Sequence, residues 1–149
     1  MNCEPIGFVK SPVIEGVDKG WGKIISELHI KQQFEAGLRG IDSFSHVIVI
    51  FEMHKSSWNP ETDLVRRPQG RTDMPYVGIF AQRAKHRPNP IGITAVKLIE
   101  VKGNVLKVQG LDAIDGTPIL DLKPYYPQYD TIDEARAPGW VDIIMAEYF

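Results

Sequence analysis

Between Ile24 and Ile30 polar and apolar side chains alternate, with Ile24, Ser26, Leu28 and Ile30 on one face and Ile25, Glu27 and His29 on the other. A period of two predicts a strand with one buried face. From Ile30 the period lengthens: Ile30, Phe34 and Leu38 recur at helical spacing and Gly40 supplies a stop, which predicts one short helix. Ser45 to Phe51, SHVIVIF, is an uninterrupted β-branched run, the pattern of a strand buried on both faces. Lys55 to Pro75 is polar, broken by Pro60, Pro68, Gly70 and Pro75, and predicts a long loop of the kind that carries function. Strands resume at Tyr76–Ala81 and Ile93–Val101, and Lys102-Gly-Asn104 has hairpin-turn chemistry before Val105–Val108. Asp115-Gly116 marks another turn before Ile119–Leu122, and Trp140–Ala146 reads as a last apolar strand. Short strands, frequent turn signals and one helix predict a mainly β fold, barrel or sandwich, in one domain spanning residues 1–149.

Composition narrows the function classes. The chain has 149 residues, 43% hydrophobic and 24% charged, an ordinary globular balance. Cys3 is the only cysteine, which excludes an internal disulfide and a cysteine-based zinc site. The start, MNCEPIGFVK, has no basic segment followed by an apolar run, and the longest strongly apolar run, Val47 to Phe51, is too short to cross a bilayer. The expectation is a cytoplasmic protein with no membrane association. Net charge is only −2, yet Arg66, Arg67, Arg71, Arg83, Lys85 and Arg87 face Asp73 alone between residues 66 and 87, a local balance of +5. That asymmetry fits either a phosphate-binding face or a solvated loop.

The chemistry is concentrated in two segments. In RAKHRPNPIG, Arg83 to Gly92, Pro88 and Pro90 push the residues before them towards extended geometry, so the segment is a stiff, non-helical loop that cannot pair fully as a central strand. A stiff cationic loop suits an anion; a proline-rich surface turn is the plain alternative. In LDAIDGTPILDLKPY, Leu111 to Tyr125, three carboxylates cluster: Asp112, Asp115 and Asp121. They suit a general base or magnesium, although Asp-Gly is a preferred turn pair and Asp121 needs a partner, either Lys123 or something bound. GxGxxG, GxxxxGK[ST] and GxSxG are absent, and His29, His46, His54 and His86 have no metal-site spacing.

GIFAQRAKHRPNPIG (Gly78–Gly92), LDAIDGTPILDLKPY and GLRGIDSFSHVIVIFEMH (Gly37–His54) together resemble the TsaA-like, YaeB or TrmO family, over nearly the whole chain from Ile6-Gly7 to about Trp140. The resemblance implies a β-barrel methyltransferase that uses S-adenosyl-L-methionine and no metal. It implies a homodimer with the cofactor near the subunit interface, and methylation of N6 of threonylcarbamoyladenosine beside the tRNA anticodon. Carried onto this sequence, it puts His54, Lys55, Arg83, Asp115, Gly116, Thr117 and Pro118 at the cofactor, with Lys19-Gly-Trp21 as a looser match. Arg66, Arg67, Arg71 and Arg87 are then expected to hold the acceptor's carboxylate and tRNA phosphates, and Asp115 or Asp121 to act as base. The chain departs from the family pattern at Gln82, where threonine is common, and at Ala84-Lys85, and it ends without the additional C-terminal domain many bacterial members carry. Three other readings stand beside it. A non-enzymatic RNA-binding barrel would use the Tyr125, Tyr126 and Tyr129 cluster, a magnesium phosphoesterase the three aspartates, and a methyltransferase of the same family a different acceptor.

Overall fold

A computed structural model describes residues 2–149. Six strands close into an antiparallel barrel: β1 (Gly7–Lys10), β2 (Ile25–Ile30), β3 (His46–Glu52), β6 (Ile91–Lys102), β7 (Val105–Gln109) and β8 (Pro118–Pro124), in the order β1-β2-β7-β6-β3-β8. Two shorter strands, β4 (Val65–Arg66) and β5 (Val77–Gly78), pair inside the long β3–β6 connection. Closure leaves no strand of the barrel as a bare edge along its whole length, which suits a chain with so many short strands.

The period-two reading of β2 holds: Ser26, Leu28 and Ile30 are buried and Ile25 and His29 are exposed. β3 is less symmetric than its β-branched run suggests. Val47, Val49 and Phe51 are buried inside the barrel, whereas Ile48 and Ile50 point outward and are half-buried. With Val9, Val96, Leu106, Val108, Leu111 and Ile119 they form one core. Each such aliphatic side chain contributes roughly 1.5–3 kcal/mol by leaving water.

Three predicted elements differ. Gln32–Leu38 is a 3-10 helix with no buried residue, because Ile30 belongs to β2 and leaves Phe34 and Leu38 too few to define a helical face. Of Tyr76–Ala81 only Val77–Gly78 is strand, followed by a 3-10 turn at Ile79–Ala81. Trp140–Ala146 is not a strand: Gly139–Met145 is a helix, α3, with Trp140, Val141 and Ile144 turned inward at helical spacing. Trp140, Val141 and Ile144 share one helical face, which a strand would split between its two sides. Two further one-turn helices, α1 (Pro60–Asp63) and α2 (Pro127–Asp130), each begin at a proline.

Because all neighbouring strands are antiparallel, the connections sort cleanly to two ends. β1–β2, β3–β6 and β7–β8 turn at one end, and β2–β3 and β6–β7 at the other. Nearly every residue singled out by sequence lies in the first set.

Candidate active site

At the loop end the β1–β2 connection is the hub. Asp115 Oδ1 accepts the Ser11 amide at 3.0 Å, the Asp115 amide donates to Val13 O and the Gly116 amide to Val9 O. Gly116 takes a φ of 77°, which closes this turn without a Cβ penalty. Thr117 is buried and Pro118 opens β8, so the Asp115–Pro118 segment is tied to β1 and β2's approach. On its other side the hub meets Lys55, whose Nζ lies 3.5 Å from Ile14 O. Ser57 joins that strand end to the RPNPIG loop: His86 Nδ1 lies 2.8 Å from Ser57 O and 3.1 Å from Ser57 N. His54 stands at the end of β3, and its Nδ1 is buried with no hydrogen-bond partner.

The RPNPIG loop is irregular up to Asn89, and β6 begins after its second proline. Gly92 is required by packing: a Cβ there would sit 2.4 Å from the Phe51 ring across the β3–β6 pair. Arg87 Nη1 turns back onto Gln82 O at 2.9 Å and Ala84 O at 3.3 Å. The other arginines of the +5 segment are similarly engaged. Arg66 pairs with Asp63 at 3.3 Å and Arg71 chelates Asp73 at 2.9 and 2.6 Å, which raises the Arg71 pKa and lowers that of Asp73, in each case chiefly through the hydrogen bond. Arg67 donates to the Thr72 and Met74 carbonyls and stacks on Tyr76, 4.6 Å from the ring centre. Arg67 and Arg87 therefore keep a net charge, while Arg66 and Arg71 have a carboxylate beside them.

A second group gathers where β6 outruns β7. β7 pairs only with Lys97–Lys102, so Ile91–Val96 has β3 on one side and loop on the other. Arg83 Nη2 donates to Ile93 O at 2.5 Å on this stretch. Thr94 Oγ1 donates to Asp112 Oδ1, and the Tyr148 hydroxyl donates to Asp112 Oδ2 at 2.7 Å. Burial first, then the Asp112 charge and hydrogen bond, push the Tyr148 phenol well above its ordinary pKa; Asp18 adds to this and Arg83 opposes it. Beside this group lies a cavity of about 510 Å³ lined by Val17, Asp18, Lys19, Gln69, Arg71, Ile143, Ile144, Ala146 and Glu147. Its size is that of small-molecule sites and its charges are mixed. Gln69 holds a left-handed φ of 54°, a conformation that non-glycine residues adopt mainly where surroundings enforce it. A larger cavity of about 620 Å³ lies at the opposite end, among Gln32, Glu35, Arg39, Asp42, Val101 and Gly103, away from every candidate residue.

Asp121 stands apart. β8 carries a bulge at Leu120, since Ile50 pairs with Asp121 but Phe51 with Ile119. The extra residue turns Asp121 to the barrel exterior beside Ile50, where it pairs with Lys123 at 2.8 Å and raises the lysine's pKa, chiefly through their hydrogen bond. Among the described residues no group of three or more His, Cys, Asp or Glu side chains is placed to hold a metal ion, so Asp112, Asp115 and Asp121 do not form one three-carboxylate cluster. Sequence reasoning missed Tyr148 and the paired role of Asp112 and Thr94. A tyrosine near the end of the chain carries no motif, and only the path of α3 brings it to the loops.

Residues 18–131 match the family model described as tRNA-methyltransferase O N-terminal domain. The chain is 37% identical over 148 residues to a probable S-adenosyl-L-methionine-binding protein of Pyrococcus abyssi, covering 93% of this chain and 74% of that one. It is 35% identical over 148 residues to the tRNA (adenine(37)-N6)-methyltransferase of Escherichia coli, covering 90% of this chain and 61% of the enzyme. The crystal structure of TrmO from Pseudomonas aeruginosa superposes with a TM-score of 0.74 at 29% identity, covering 93% of this chain and 62% of that one. The chain thus spans less than two thirds of that enzyme and of that structure.

Proposed function

The chain belongs to the tRNA-methyltransferase O N-terminal domain family, and from that premise we propose that it transfers a methyl group from S-adenosyl-L-methionine to N6 of the adenine at position 37 of tRNA, with threonylcarbamoyladenosine as the acceptor. The observation that carries the reading is the mixed-charge cavity at the loop end, whose Ala146–Glu147 wall leads directly into Tyr148 and so to Asp112, although none of His54, Lys55, Arg83 or Asp115–Pro118 lines it. The cofactor is a cation at sulfur and a zwitterion at its amino-acid end. Asp18 and Glu147 supply negative groups for the cationic centres, and Lys19 a positive one for the carboxylate. The buried, unpartnered Nδ1 of His54 is an unused hydrogen-bonding atom of the kind a polar ligand satisfies.

When bound, the cofactor supplies a methyl group already activated on a sulfonium, so orientation and exclusion of water are the protein's main tasks. The Asp115–Pro118 turn, tied to Ser11, Val13 and Val9, provides a rigid floor; Arg83, held on Ile93 O, provides a fixed cation. The adenine amine is a poor nucleophile, and acylation as a urea makes its N–H more acidic, so a carboxylate base assists. Asp115, at the loop end, is the base within the same subunit; Asp121, on the barrel exterior, would act only across a subunit interface. Arg67 and Arg87 with Lys55 and Lys85 attract tRNA phosphates, while Arg66 and Arg71 orient the loops that present them.

We further propose a homodimer. Ile48 and Ile50 of β3 and Ile91 and Ile93 of β6 form an outward apolar face, with Ile91 47% and Ile93 50% exposed, and Asp121–Lys123 at its rim. A second copy covering that face would bring Asp121 to a partner.

The reading is tested by calorimetric titration with S-adenosyl-L-methionine and S-adenosylhomocysteine, with ATP as control, followed by transfer of labelled methyl to tRNA with and without the threonylcarbamoyl group. Micromolar binding of both cofactor forms and transfer only to the modified tRNA are expected. Transfer to another acceptor would overturn the substrate assignment. Salt-dependent RNA binding without cofactor affinity would point instead to a non-enzymatic barrel.

A further inference from the structure

The family match ends at residue 131, yet the chain beyond it returns to the loop end. After α3, the carbonyls of Glu147 and Tyr148 accept the amides of Gly20 and Trp21, each at 2.8 Å. Phe149 lies so close to Gly22 that a Cβ there would be 2.6 Å from its carbonyl carbon. This docking delivers the Tyr148 hydroxyl to Asp112 Oδ2, while Thr94 in β6 holds the other oxygen. Asp112 lies between Leu111 and Ala113, both buried in the barrel. The segment is thus pinned by packing at Leu111 and Ala113 and by two hydroxyl groups at Asp112. Three residues on, Asp115 begins the turn that the methyltransferase reading assigns to the cofactor. Ile143, Ile144, Ala146 and Glu147 meanwhile make one wall of the cavity.

We propose that Tyr148 is the positioning residue of the 112–118 turn: its hydroxyl fixes Asp112, and so holds the cofactor-binding floor in its binding geometry. The inference rests on the methyltransferase reading for the ligand, though not for the turn itself. Tyr148 touches no reacting atom. Losing its hydroxyl leaves one oxygen of a partly buried carboxylate without a donor and leaves Asp112 held by Thr94 alone. A turn already held in place loses less conformational freedom when ligand binds than one that must first be ordered.

Tyr148→Phe keeps the ring and removes only the donor. Titrated with S-adenosyl-L-methionine and S-adenosylhomocysteine, it is expected to bind each about fivefold to tenfold more weakly than the unchanged protein. Asp112→Asn alone and combined with Tyr148→Phe completes a cycle in which the losses are strongly non-additive, since both changes break one contact. Hydrogen exchange on the ligand-free proteins reads the turn directly: amides at 110–118 should exchange faster in Tyr148→Phe while those of β3 and β7 do not change. Unaltered affinity, additive losses or unchanged exchange at 110–118 each overturn the proposal. Should the unchanged protein bind neither ligand, the methyltransferase reading falls and the exchange comparison alone decides the role of Tyr148.

Discussion

Gly92 and Arg83, nine residues apart in one loop-to-strand segment, do different work. Gly92 faces the Phe51 ring with no room for a methyl group. Gly92→Ala should therefore cost roughly 1–3 kcal/mol of stability through overpacking, read as a lower urea midpoint at unchanged slope. Arg83 makes one hydrogen bond to a strand carbonyl and is otherwise exposed. Arg83→Ala should leave stability within about 1 kcal/mol while weakening cofactor binding at least tenfold. Equal cofactor affinity in that variant would remove Arg83 from the site. The side chain of Gln82 does structural work too: its amide donates to Arg66 O and Val77 O, both at 2.9 Å, across the β4–β5 pair. Gln82 thereby acts as a local staple of the basic loop.

Among elements, the segment 139–149 has the most distinctive chemistry. The Tyr148 phenol is neutral when protonated, and its raised pKa means the folded state keeps that proton more firmly than the unfolded chain does. The stabilisation is complete below the ordinary phenol pKa of about 10 and is lost as pH rises through the higher folded value. Tyrosinate absorbance of the protein minus that of Tyr148→Phe should accordingly appear only well above pH 10. A difference signal developing near pH 10 would mean the hydroxyl is not held by Asp112. The bulge in β8 is the other decisive element, because one extra residue at Leu120 moves Asp121 from the interior parity of Ile119 to the exterior.

Across the whole molecule, charge and apolar surface are both unevenly spread. With two of its arginines beside carboxylates, the +5 segment acts as fewer free cations than its count suggests. The logarithm of tRNA affinity should fall with the logarithm of salt with a slope of about −3, nearer to four phosphate contacts than to six. The outward isoleucines predict that Ile93→Asp converts a dimer to a monomer in light scattering; an unchanged mass, or a monomeric parent protein, would remove that face as an interface.

Alternation in β2, the turn at Lys102–Asn104 and the breaks at Pro88 and Pro90 determined a mainly β chain with a stiff basic loop, because these signals are local and each acts within a few residues. The RPNPIG and DGTP segments likewise marked the end of the barrel where the candidate site lies. The segment 139–145 is helix where the sequence predicts strand, because a short apolar run carries both periods and the common inward face of Trp140, Val141 and Ile144 selects the helical one. The seat of Arg83 on the overhanging stretch of β6, the outward turn of Asp121 and the meeting of Thr94, Asp112 and Tyr148 were decided by tertiary structure alone. Each depends on where a bulge, a strand overhang or a returning segment places a side chain, and hydrogen bonds between residues as far apart as Asp112 and Tyr148 leave no periodic trace in the chain.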